Sequence, residues 1–376
     1  MLFVFLSHFG YVYFLKNGAT TLHVVSLYIG MVASPTFMLI SGTVLGYLHR
    51  TKRGGFAEVR TKLADRGLFL LTIGHVLNTL AHIPTAGSVK EALTWGFITD
   101  TIGICIIAGP FLVGRLRPAG RVLFALAVYG FGWLVTLLWH PSSWLLSVLK
   151  ETLLGPWGAS PRVYAVNFPL LPWLSLYMMG TCIGERIGEH HLKGDERALS
   201  RYVLQVALAG LLLALLLKGG AKAAGLLNLA PAHRTTIAAL ASLYQKWPPS
   251  PIYFLFYGGA GLMIMYVLFI LEGKGLADRL MALLSMVGRT SLFVFVLQYY
   301  VYFALFPILK PPFTALWPLL FVVSVALIIC ASWVWYKGNY NRFITVRPLW
   351  PRRPGKPQPH VIVPVGRVKD RTFPGT

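Results

Sequence analysis

Acidic side chains are scarce in this chain: 12 Asp and Glu stand against 34 Lys and Arg in 376 residues, and charged residues amount to only 12%. A soluble protein of this length would divide into two or three domains whose surfaces need more charge than that. Cysteine is scarce too. Cys105, Cys182 and Cys330 each fall inside an apolar run, and no CxxC or Cys/His ligand spacing occurs. That excludes a disulfide framework and a zinc site as organising features, and leaves the thiols as small buried hydrophobes with no metal expected. No internal repeat is evident, so an inverted-repeat transporter gains no support. Short alternating strands are also missing, which argues against a transmembrane β-barrel.

What is present is hydrophobic: 56% of residues, with a mean hydropathy of +0.65. Apolar runs of about 20 residues recur, the length that crosses a bilayer as a helix. They predict spans near 1–15, 24–48, 67–83, 96–114, 122–140, 166–185, 202–218, 251–271, 290–309 and 314–336. The expected fold is therefore an all-α polytopic transmembrane helical bundle of about ten spans. It occupies residues 1–340, with a basic, Pro/Gly-rich disordered cytoplasmic tail over 341–376. The first run is short and starts at Met1 without a basic n-region or cleavage site, so a signal peptide is not indicated. The expectation is that a basic lead-in precedes it.

A net charge of +22 invites a nucleic-acid reading, but its placement argues against one. With the spans above, 25 of the 34 Lys and Arg fall on one side, in alternate loops and in the tail. The positive-inside rule makes that side cytoplasmic and puts both termini there. Two outer segments, Leu145–Val166 and Gly219–Ser250, are long enough to bind an acceptor.

Ionisable groups inside lipid are expensive and generally face the bundle interior, which makes them functional candidates. Thr72, His75, Asn78 and His82 recur at helical spacing and share one stripe of the third span. Counting from the basic edge at about 1.5 Å per residue places His8, Ser41, His75 and Gln298 in one layer. His82 and Asp100 fall in a second layer further out, and the expectation is that His82 pairs with Asp100 as an oriented imidazole for proton transfer. The catalytic candidates are thus His8, His75, His82 and Asp100, with Ser41, Asn78 and Gln298 as substrate contacts. Plainer roles stay open: a lone imidazole can bond a backbone carbonyl, Asn78 can serve as interhelical glue, and Ser41 can permit close helix packing. Topology explains most of Arg50, Lys52 and Arg53, although a phosphate-bearing ligand would need such a cluster.

The order of local motifs carries a resemblance. LFVFLSHFG looks like the first helix of bacterial membrane acyltransferases, which carry a His there, and SPTFMLISGTVLG resembles their second helix. NFPLLPWLSLYMMGTCIG, QKWPPSPIYFLFYGGAGLMIMYVLFILE and VGRTSLFVFVLQYY resemble later spans of the heparan-α-glucosaminide N-acetyltransferase-like proteins. The resemblance runs from Met1 to about Tyr302. It implies an enzyme that takes an acyl group, acetyl above all, from cytoplasmic acyl-CoA and passes it to a carbohydrate or envelope acceptor across the inner membrane. By motif position His8 is the reactive histidine, as general base or transient acyl carrier. Arg66, Arg289 and the cluster Arg50, Lys52 and Arg53 would hold the coenzyme's phosphates. The implied partners are the bilayer, acyl-CoA, a carbohydrate acceptor and, as an option, a second copy of the chain, with no nucleic acid. One departure matters: the family's late helix reads Leu-His where this chain has Leu297-Gln298, and an amide cannot act as acid or base near neutral pH. The rival class is a transporter of a small metabolite or glycan using the same polar path, with Gly258-Gly259 and Pro110 as candidate helix breaks.

Overall fold

The computed structural model describes residues 1–157, 165–166, 168–225, 230–275 and 277–346. Each apolar run is a helix. In chain order they are α1 (Leu2–Phe14), α2 (Thr20–Thr51), α3 (Arg53–Ala86), α4 (Ile98–Arg115), α5 (Pro118–Leu138), α6 (Trp144–Leu153), α7 (Leu170–Leu192), α8 (Glu196–Ala224), α9 (Pro231–Leu240), α10 (Pro251–Gly273), α11 (Asp278–Arg289), α12 (Ser291–Leu309) and α13 (Trp317–Lys337). Eight of these, α2–α5, α8, α10, α12 and α13, are long and apolar enough to cross a membrane. The protein is an all-α polytopic bundle. Its only strand pairing among the described residues is a two-residue parallel contact, Trp95–Gly96 with Ala165–Val166.

The centre of the bundle is α7, which carries the fully buried Trp173, Tyr177 and Met178 and packs most closely on α2. Small residues permit that approach. A methyl group on Gly42 or Gly46 would collide with the carbonyls of Tyr177 or Thr181, and one on Gly180 or Gly184 with those of Leu39 or Thr43. Without a hydrophobic driving force between helices in lipid, such close backbone contact is what joins them. The small-residue segment around Ser41 serves packing mainly through its neighbour Gly42.

Aromatic contacts seat α1 against the last helices. Phe9 is fully buried and meets Tyr302, Phe306 and Phe321, so the adjacent His8 faces α12. Three helices widen into a π-helical turn beside a candidate residue: Gly10–Phe14 after His8, Leu70–Gly74 before His75, and Tyr300–Leu305 after Gln298 and Tyr299. Such turns recur at functional sites because they re-aim side chains without ending the helix.

The tail begins later than composition suggests. Residues 341–346 dock onto the basic end: Asn341 donates to the Arg289 carbonyl, and Thr345 and the Val346 amide donate to Asp65. The expected disordered extension from Arg347 onward lies outside the described residues.

Candidate functional site

His8, from α1, lies 2.5 Å through Nδ1 from Oε1 of Gln298 on α12. Gln298 is completely buried, and its Nε2 donates to the Phe295 carbonyl at 3.0 Å. The amide is therefore held with its oxygen towards the ring, so Nδ1–H of His8 donates and Nε2 keeps its lone pair. His82, from α3, is fixed in the same tautomer by a different partner: Nδ1 donates to the Asn78 carbonyl at 2.8 Å. The two imidazoles share walls. The His82 ring stacks on Phe303 at 4.4 Å and stands 4.8 Å from Tyr299, while His8 lies 5.0 and 5.3 Å from those same rings. Thr85 closes the group by donating to the Phe303 carbonyl, which ties the end of α3 to α12.

His75 and Asp100 form a separate pair, with Nδ1 and Oδ2 3.0 Å apart. Oδ2 also accepts the Phe97 amide at 2.9 Å, so the carboxylate caps the first turn of α4. This corrects the expected pairing of Asp100 with His82. The depth count assumed that Arg66 and Arg115 mark one plane. In the structure Gly67 packs directly on Gly103 and Ile107, so the basic end of α3 lies level with the middle of α4 and not with Arg115. That offset slides His75, not His82, alongside Asp100. Asn78, completely buried, donates to Thr99 at 2.9 Å and joins α3 to α4. Ser41 is partly buried on α2 and is not among the groups that the structure joins to His8.

The basic residues separate as well. Arg66 and Arg289 line one half-open cavity of about 500 Å³ at the basic end, together with Ser291, Tyr336 and Asn341. Arg289 donates to the Tyr336 hydroxyl at 3.2 Å, which positions the guanidinium and leaves other donors free for a ligand. Arg50 instead pairs with Glu189 at 3.7 Å, while Lys52 and Arg53 are exposed where α3 begins. None of the three lines that cavity.

Two features escaped the sequence reading. By sequence Arg121 falls among the loop charges, yet it is only 1% exposed; it binds Glu185, and Thr181 at 3.1 Å, with His49 3.6 Å from the same carboxylate. The signal was Glu185 itself, one of very few acids at the end of an apolar run. The second is Lys246. It sits over the Phe168 ring at 4.7 Å, and burial pushes its ammonium down to about 8.

The family described as "Heparan-alpha-glucosaminide N-acetyltransferase, catalytic" matches residues 1–216, more than half of the chain. The chain belongs to that family. It is a multi-pass membrane protein of an acetyltransferase family, and the match takes in His8, His75, His82 and Asp100 but stops short of Gln298. No curated protein and no solved structure matches this chain.

Proposed function

We propose that the protein transfers an acetyl group from acyl-CoA, entering from the cytoplasmic, basic end, to a hydroxyl or amine of a carbohydrate or envelope acceptor at the far end of an inner-membrane bundle. The observation that carries this reading is the His8–Gln298 bond, because a neutral imidazole donating through Nδ1 has its base at Nε2. The acceptor's proton moves to Nε2 as its oxygen or nitrogen adds to the thioester carbonyl. Collapse of the tetrahedral intermediate breaks the C–S bond, and the imidazolium returns the proton to the departing thiolate. Arg66 and Arg289 suit the coenzyme's phosphates by charge and by their convergence on one cavity. His82 stands behind the same aromatic wall as a second neutral imidazole, and the His75–Asp100 pair offers an outward route for a proton. Acetyl transfer from labelled acetyl-CoA by the purified protein in nanodiscs tests the reading. Flux of a glycan into liposomes without acyl-CoA, in place of transfer, would replace it with the transporter.

A further inference from the structure

Between Ala241 and Ser250 the chain leaves helical structure and folds back into the bundle. Irregular backbone at such a place needs its polar groups satisfied by protein. Here Tyr129 and Trp133 of α5 both donate to the Pro249 carbonyl, at 2.8 and 3.1 Å, and Ser250 donates to the Ser242 carbonyl at 2.6 Å. Gln245 braces the turn by donating to the Trp247 carbonyl, also at 2.6 Å. The loop is thereby fixed, and it holds Lys246 over Phe168 and 5.6 Å from the Trp247 ring.

This cation has aromatic faces but no carboxylate. Among the described residues Lys246 makes no ion pair, and residues 158–164 and 167, whose placement is not described, contain no Asp or Glu. Of the three acids on this side of the bundle, Asp100 is held by His75 and the Phe97 amide, Glu91 is exposed, and Glu151, buried on α6, has Lys150 beside it and makes no ion pair with Lys246. Ring faces offset part of the cost of burying an ammonium, by about 0.5–2 kcal/mol, whereas an anion in contact offsets far more. A rigidly held cation lacking a counter-charge, over a Phe168 whose carbonyl accepts from Thr101 beside Asp100, is the arrangement that a bound anion completes.

We propose that Lys246 recognises an anionic group, a carboxylate, phosphate or sulfate, on the sugar acceptor, and holds that acceptor with its nucleophile towards His8. The inference rests on the acetyltransferase reading above. It assigns the anion to the acceptor rather than to the coenzyme because the coenzyme's phosphates have their own arginines at the opposite end.

The test uses full-length protein in nanodiscs and two probes, glucosamine and glucosamine 6-phosphate, titrated calorimetrically without any acyl donor. Wild type is expected to bind the phosphorylated sugar about tenfold or more tightly than the neutral one. Lys246→Met, which keeps the stem over Phe168, is expected to lose that preference, and Lys246→Arg to keep part of it. Equal affinities in wild type, or a preference that survives in Lys246→Met, would overturn the proposal; the first needs no variant to fold. If Lys246→Met weakened acetyl-CoA binding instead, the anion would belong to the donor, which also overturns it. Because binding is read without turnover, a phosphate preference together with absent acetyl transfer would sink the acetyltransferase reading while leaving the lysine's selectivity standing.

Discussion

Two buried polar clusters lie in this bundle, and they are built on opposite plans. At the basic end Arg121 meets Glu185 and Thr181, His49 stands beside the same carboxylate, and Arg50 and Arg186 share Glu189. Full charges there close on one another. Around His8 no formal charge is in contact: each imidazole gives one nitrogen to an amide or a carbonyl, and aromatic rings cover the flanks. A network of paired full charges acts on stability; a neutral centre with unspent lone pairs can take a proton from a ligand. Burial alone therefore does not mark the site. Whether the buried groups are paired charges or neutral bases does.

That contrast breaks most sharply at His8. His8→Ala is expected to lower acetyl transfer about 10²- to 10⁴-fold, the range of a positioned general base, with thermal stability in detergent close to wild type. Wild-type rates in that variant would remove His8 from the chemistry. The opposite pattern is expected at the charged cluster. Arg121→Met strands the buried Glu185 carboxylate and should cost about 3–5 kcal/mol, read as lost yield and a lower melting temperature. The double variant Arg121→Met/Glu185→Leu should recover much of it, and a single variant that melts like wild type would show the pair to be idle. Next in size is the coenzyme cavity. Arg289→Ala or Arg66→Ala each removes a charged hydrogen bond worth about 1.5–3 kcal/mol, so acetyl-CoA affinity should fall roughly tenfold to a hundredfold. Arg53→Ala, on an exposed turn, should leave that affinity unchanged, and equal losses at all three positions would return the phosphates to a diffuse basic surface.

The same contrast explains what could be read in the sequence. Helix positions were legible because spans are written in hydropathy over about twenty residues, a signal that survives any error in packing. His8 and Gln298 were placed at one depth because both were counted along their own helices, and the structure joins them. The His82–Asp100 pairing failed because relative helix height depends on tertiary contacts, here Gly67 on Gly103, that no single-span count contains. Arg121 and Lys246 were hidden for a related reason. Charges near span ends read as topology until packing shows which of them turn inwards.

The smallest expected effect separates positioning from plain packing at Gln298. Gln298→Leu leaves Nδ1–H of His8 without an acceptor and frees the ring to turn, so one ordinary hydrogen bond, about 0.5–1.5 kcal/mol, is lost from the orientation of the base. The turnover number should fall between about twofold and tenfold while the KM for acetyl-CoA stays constant, because the arginine cavity is elsewhere. Gln298→His should retain most of the rate, since an imidazole nitrogen can accept the same proton. It should also add an ionisation to the pH profile of turnover, which an amide cannot supply. A residue that merely filled space would give a different signature: both variants would lower the melting temperature in proportion to misfit, and neither would change the shape of the pH profile. Full turnover in Gln298→Leu would mean that the tautomer of His8 is set by something other than the late helix, and the neutral centre would lose the partner that distinguishes it from the charged one.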